Sequence, residues 1–177
     1  MSLEKKWWIL SSNIWIEGEA LENVNSILSN PKYKELLRKL GELEKDRWYC
    51  GHDLAHFLDV ARIAYITVME EKLNFKKEVI YAIALLHDIG RVSEYTEGKD
   101  HHKASVEIAK ELLGETNFTV EDKEDILRAI DNHRKETDDE LSKLIYTSDK
   151  LSRNCFNCRA YKECYWQEEK KNKIIKL

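Results

Sequence analysis

A histidine and a carboxylate stand side by side at His87-Asp88, closing the apolar run Val79-Ile80-Tyr81-Ala82-Ile83-Ala84-Leu85-Leu86. Aliphatic residues at nearly every position of that run read as a buried helix, and Gly90 reads as its stop. An ionised carboxylate in such surroundings is costly unless something positive compensates it. Beside an imidazole, the usual compensation is a metal ion. Taken alone, the pair reads as a helix end whose His and Asp cap the following turn; the other histidines shift that reading.

All six histidines fall at or near expected helix ends. His52 and His56 are four apart and share one side of a helix. His101 and His102 start a later helix, and His133 ends the one after. Asp149 lies in an apolar stripe with Ile145, Ser148 and Ser152, where a carboxylate needs a partner. Imidazole and carboxylate together suit Fe, Mn, Co or Zn, and a shared carboxylate can bridge two ions. Helix ends converging on one point build an internal metal site in a bundle.

The elements that must bring these residues together are helical. The 177 residues are 42% hydrophobic and 35% charged, with one Pro and six Gly, which leaves little punctuation for a sandwich or barrel. The expectation is one all-α domain over 1–177, a bundle of roughly seven to nine helices. One helix starts at Asn30-Pro31, with Pro at the first position, and ends near Asp46. The next runs from about Gly51 to Met69, and Asn74 caps the helix that ends in the HD pair. Arg91 to Lys99 reads as a loop. Helices then follow from Asp100 to Gly114, from Thr119 to His133, and from the capping box Thr137-Asp138-Asp139-Glu140 to Leu151. The charged stretch Gln167 to Lys173 reads as a solvated helix end. The cluster Trp7, Trp8, Ile9, Leu10, Ile14, Trp15 and Ile16 is expected to pack on the body. A net charge of −4 argues against an extended nucleic-acid surface. No apolar run approaches membrane-spanning length and the start lacks a signal-peptide core, so no membrane is expected and the cytoplasm is the expected location.

Four segments, in order, carry a resemblance. His56, His87-Asp88 and Asp149 match the H…HD…D signature of the HD superfamily of metal-dependent phosphohydrolases. Gly51-His52-Asp53-Leu54-Ala55-His56 is similar to the G-H-D-x-x-H start of a branch of small, single-domain members. Ala84-Leu85-Leu86-His87-Asp88-Ile89-Gly90 resembles the central motif. Asp100-His101-His102-Lys103-Ala104-Ser105 and Ala129-Ile130-Asp131-Asn132-His133 resemble the extra histidine segments of members that hold two metals. The resemblance covers a core of about 48–153, leaving a Cys-containing tail over 154–177. It implies the HD-domain helical bundle and one or two divalent ions. The first would be held by His56, His87, Asp88 and Asp149; the second would share Asp88 and take His133 and His101, with His102 as the alternative. His87 and Asp88 would carry the catalysis. His52 would touch substrate or orient His56, unless it is a plain helix-start histidine. One departure stands out: related proteins often place Arg three residues after the ligand His, and here that position is Asp59.

The implied activity is hydrolysis of a small phosphorylated compound, in first place a nucleotide. Hydrolysis of a dinucleoside polyphosphate is a second enzymatic reading, and a non-catalytic nucleotide-binding or redox-sensing module is a reading from another class. Phosphate esters resist hydrolysis because the nucleophile is weak and the oxyanions are unshielded, and two cations address both. Lys150, Lys103, Arg91, Arg134 and Arg153 are candidates to neutralise the phosphates, although each alone also reads as a solvated charge.

Cys155-x-x-Cys158 and Cys164 follow closely after Asp149. They read either as one side of a metal site, completed by Cys50 or a histidine and holding Zn or an iron–sulfur cluster, or as reduced thiols packed among Phe156, Tyr165 and Trp166.

Overall fold

In the computed structural model, which describes residues 20–135 and 137–176, eight α-helices follow one another, with no strand among the described residues. They are α1 (Glu22–Ser29), α2 (Pro31–Leu43), α3 (Leu54–Glu71), α4 (Lys77–Leu86), α5 (Arg91–Glu97), α6 (His101–Gly114), α7 (Val120–Asn132) and α8 (Glu140–Leu151), then a 3-10 turn at Cys155–Asn157. The aromatic segment from Trp7 to Ile16 lies outside the described residues.

The unbroken apolar character of α4 follows from its place. It touches α1, α3, α6, α7 and α8, so it has no solvated face to fill with polar residues. Ile80, Ile83, Leu85 and Leu86 are fully buried in a core shared with Phe57, Leu112, Leu113, Ile126, Ile130 and Ile145. Tyr33 of α2 is also buried and donates from its hydroxyl to the Leu85 carbonyl at 2.9 Å. The helix therefore delivers His87 and Asp88 to the middle of the bundle.

Helix starts follow local side-chain chemistry. Asn30 accepts from Lys32 N and Tyr33 N, Asp53 from His56 N, and Thr119 from Asp122 N. These bonds satisfy amides that a helix leaves unpaired. At α8 the cap is Asp139, which accepts from Ser142 N at 2.8 Å. Thr137 instead accepts from the Asp139 amide, so the helix begins two residues later than the Thr137 box predicts. Asn74 does not cap α4, which starts at Lys77 without a side-chain cap. Phe75 packs against the core and Lys76 pairs with Asp122 at 2.9 Å, holding the chain out of the helix for those residues.

Two further departures concern polar segments. Arg91 to Glu97 forms helix α5, not the loop that its polarity predicts. Buried Val92 anchors it, and Arg91 bonds to Asp88 and Glu94. The end comes at Gly98, whose φ of 71° lies in the left-handed region that glycine tolerates. The stretch Gln167 to Lys173 forms turns in place of a helix end. Lys171 is buried there and donates to the Tyr161 carbonyl at 2.9 Å.

Asn172 closes the tail onto α8. Its Nδ2 donates to the carbonyls of Lys150 at 2.7 Å and Arg153 at 2.9 Å, adding a side-chain donor to the end of the helix and the turn after it. Replacing Asn172 by Ala is expected to cost about 1–3 kcal/mol and to open the tail to proteolysis. A thermal melt with a limited-digestion time course checks this; wild-type behaviour in both would contradict the cap. Among the described residues, no helix is long and apolar enough to cross a membrane.

Candidate metal centre

Helix ends place six ligand-type residues in two buried groups that share Asp88. His56 from the first turn of α3, His87 and Asp88 after α4, and Asp149 from the last turn of α8 bring one ligand atom each within 4.8 Å of one another; Asp88, His101 and His133 form the second group. The two oxygens of Asp88 face different ways. Oδ2 lies 3.4 Å from His87 Nε2 and 3.6 Å from His52 Nε2. Oδ1 lies 3.3 Å from His101 Nε2 and 3.6 Å from His133 Nε2. On the first side, His56 Nε2 is 3.3 Å from Asp149 Oδ1.

The far nitrogen of each ring explains these orientations. His87 Nδ1 lies 2.7 Å from the Ala84 carbonyl, and His133 Nδ1 lies 2.6 Å from the Ile130 carbonyl. A carbonyl can only accept, so each Nδ1 donates and each Nε2 is left facing Asp88. His101 Nδ1 meets Glu94 Oε1 at 2.9 Å, and His52 Nδ1 meets Glu44 Oε1 at 2.6 Å. His56 Nδ1 is 3.2 Å from the Ser152 hydroxyl, which spends its own proton on the Asp149 carbonyl. This outer layer of carboxylates and carbonyls is what metal-ligating histidines require.

Electrostatics point the same way. Burial pushes His87 down to about 3, so its ring is neutral at neutral pH. Burial also lowers His52, and burial with the Arg91 charge lowers His101. Burial alone would raise the Asp88 carboxyl, but His87, His133 and Arg91 hold it well below the usual range. Asp149 is likewise held ionised against its burial by His56, Arg153 and Lys150. Imidazoles converging on buried carboxylates are a donor set for a cation. His87 Nε2 and His101 Nε2 are buried without a hydrogen-bond partner among the described residues. Arg153 reinforces the point: its Nη2 donates to His56 Nε2 at 3.0 Å and Asp149 Oδ1 at 3.2 Å. These atoms therefore already gather positive charge, and the residues present fit divalent metal ions.

Gly90 is needed for close approach and not for an unusual backbone angle. Its φ is −68°, and a Cβ there would stand 2.2 Å from the His101 carbonyl and 2.3 Å from Ser105 N. Its amide donates to Ser105 Oγ at 2.9 Å. The contact presses the start of α5 against α6 and so sets His101 on Asp88. His102 does not reach Asp88; its Nε2 lies 4.0 Å from Asp131.

The cationic candidates divide. Arg91, Arg134, Lys150 and Arg153 line the cavity above Asp88, a space of about 400 Å³ that His52, His133 and Asp149 also line. Lys150 Nζ is 2.5 Å from Asp149 Oδ2, and Arg91 Nε donates to Asp88 Oδ1 at 3.0 Å. Lys103 is exposed on α6 and does not line this cavity. Asp59 is also outside it, beside Arg62 at 3.7 Å on the exposed side of α3. All four cysteines are free, and all four line the same cavity.

Sequence reasoning passes over Glu94, Glu44 and Tyr95. Tyr95 donates to Glu44 Oε1 at 2.6 Å, extending the chain Tyr95–Glu44–His52–Asp88. The available signal for Glu94 is its place three residues after Arg91, a helical pairing distance, visible only once α5 is read as a helix.

The HD domain family model matches residues 53–154. An uncharacterized protein of Clostridium beijerinckii is 43% identical over 152 residues, covering 86% of this chain and 97% of that one. Ribonuclease Y of Mycoplasma mycoides subsp. mycoides is 25% identical over 139 residues, 77% of this chain, which spans 25% of that relative's length. The crystal structure of a predicted HD superfamily hydrolase from an uncultured Thermotogales bacterium superposes with a TM-score of 0.57 at 28% identity, over 78% of this chain and 80% of that one.

Proposed function

The chain belongs to the HD domain family, and from that premise, which supports a metal-dependent hydrolase, we propose that it is a phosphohydrolase acting on a nucleotide or a similarly small phosphorylated compound. The observation that carries this reading is Asp88, a buried carboxylate offering one oxygen to each of two histidine sets beneath a cation-lined cavity. His56, His87, Asp88 and Asp149 would hold one divalent ion, and Asp88, His101 and His133 a second. Bound there, such ions supply Lewis acidity towards water and towards phosphoryl oxygens. Arg91, Arg134 and Lys150 bring positive charge to the wall where phosphate oxygens would lie. The cavity, at about 400 Å³, falls within the range of small-molecule sites.

Protein reloaded with Mn(II) or Co(II) and offered nucleoside monophosphates, dinucleoside polyphosphates and short RNA tests the reading. The expected result is metal-dependent phosphate release from the monophosphates. Cleavage confined to dinucleoside polyphosphates or to RNA would reassign the substrate, and metal-loaded protein inert towards all three would favour a non-catalytic module.

Glu94 acts in this reading as a positioning residue for His101. Glu94→Ala is expected to weaken metal binding at the second group about 10–100-fold. Glu94→Gln, which keeps an acceptor oxygen, should recover much of the loss. Metal titration of both variants decides: equal affinities for Ala, Gln and wild type would remove Glu94 from the account.

A further inference from the structure

We propose that Cys50, Cys155, Cys158 and Cys164 together hold an iron–sulfur cluster of the four-iron type, fastening the C-terminal segment to the loop before α3 at the rim of the histidine–aspartate cavity. The proposal does not rest on the phosphohydrolase reading. Its first support is convergence: four cysteines, Cys50 more than 100 positions from the other three, line one cavity, and all of them are free.

Bonds beside the cysteines, and not between them, hold this arrangement. Arg47 Nε donates to the Cys50 carbonyl at 2.7 Å, and Arg159 Nη2 donates back to the Arg47 carbonyl at 2.8 Å. Next to Cys50 and Cys164, the Tyr49 hydroxyl donates to the Glu163 carbonyl at 3.4 Å. The 3-10 turn closes with Cys158 N donating to the Cys155 carbonyl at 3.1 Å. Each thiol is thus placed by its neighbours while its sulfur is left unjoined.

Charge and spacing then select the ligand. Burial raises the Cys50 thiol, Arg153 opposes that rise, and the sulfurs of Cys158, Cys155 and Cys164 add to it. Four thiolates gathered around one cavity would repel unless a multiply charged core lay between them. A single tetrahedral zinc, with Zn–S bonds of about 2.3 Å, needs its sulfurs roughly 3.8 Å apart. Among the described residues, no three metal-binding donors that include a cysteine come within 4.8 Å of one another. An iron–sulfur core is larger than one ion and holds its four cysteines further apart than a single zinc does, so it does not need the close set of sulfurs that is absent here. The buried Lys171 and Arg153 line the same cavity and would offset the negative charge of a cluster bound by four thiolates.

The test uses the full chain, purified without air and also reconstituted with ferrous iron and sulfide under reducing conditions. Expected are about four acid-labile sulfides per chain and a broad visible absorbance. Cys50→Ser and Cys164→Ser should each lose both signals, while Asp88→Asn keeps them, which separates this site from the histidine–aspartate one. Wild-type protein free of acid-labile sulfide after reconstitution overturns the proposal, whether the thiols are then found with zinc or with nothing. Full sulfide and absorbance retained in Cys50→Ser overturns it as well.

Discussion

Asp88→Asn is expected to lower phosphate release by ~10²–10³-fold or more, the scale on which removing one group that stabilises a transition state acts. Asn preserves the volume but withdraws the anion that both histidine sets face: His87 on one side, His101 and His133 on the other. Among the described residues no other carboxylate belongs to both groups, because Asp149 belongs to the first alone. The measurement is kcat/KM on the best nucleotide substrate, beside a melt showing that the variant is folded. A folded variant within about tenfold of wild type would mean that Asp88 is not the shared group.

Gly90→Ala is expected to have the largest effect on stability. The added Cβ would meet backbone at 2.2 and 2.3 Å, and backbone cannot rotate away as a side chain can. Overpacking usually costs about 1–3 kcal/mol, and a backbone clash belongs at or beyond the upper end. For a chain of this size, 3 kcal/mol corresponds to a fall in Tm of roughly 6–12 °C. Relief by separating α5 from α6 would also draw His101 away from Asp88, so metal affinity at the second group should fall with the melting temperature. Wild-type values of both would show that the two helices do not need this contact.

These two residues also mark what the sequence carries. His87-Asp88 stands out because an apolar run on every helical position leads straight to a charge, and burial makes that charge expensive. Asp149 is legible for the same reason, set in the stripe with Ile145 and Ser148. Helical spacing and end signals likewise locate α2, α3, α6, α7 and α8 to within a few residues. What is not legible depends on contacts between elements distant in sequence. Gly90 looks like a helix stop until α6 is seen lying against it. The segment of Arg91 to Glu97 looks like a loop because few apolar residues mark its buried side, yet it forms a helix that bonds to Asp88 through Arg91 and to His101 through Glu94. Glu44 reaches His52 from the end of α2, a pairing that no local pattern announces. The tail is misread as a solvated helix because the carbonyls that Asn172 satisfies belong to α8 and to Arg153, around 20 residues earlier.

Metal stoichiometry after equilibrium dialysis against Mn(II) shows whether Asp88 joins two ions. Manganese prefers oxygen and nitrogen donors, so the cysteines do not confuse the count. Expected are about two ions per wild-type chain, about one in His133→Ala, and none retained by Asp88→Asn. Wild-type protein that takes up no manganese, or a His133→Ala variant that holds as much as wild type, would contradict the shared role of Asp88.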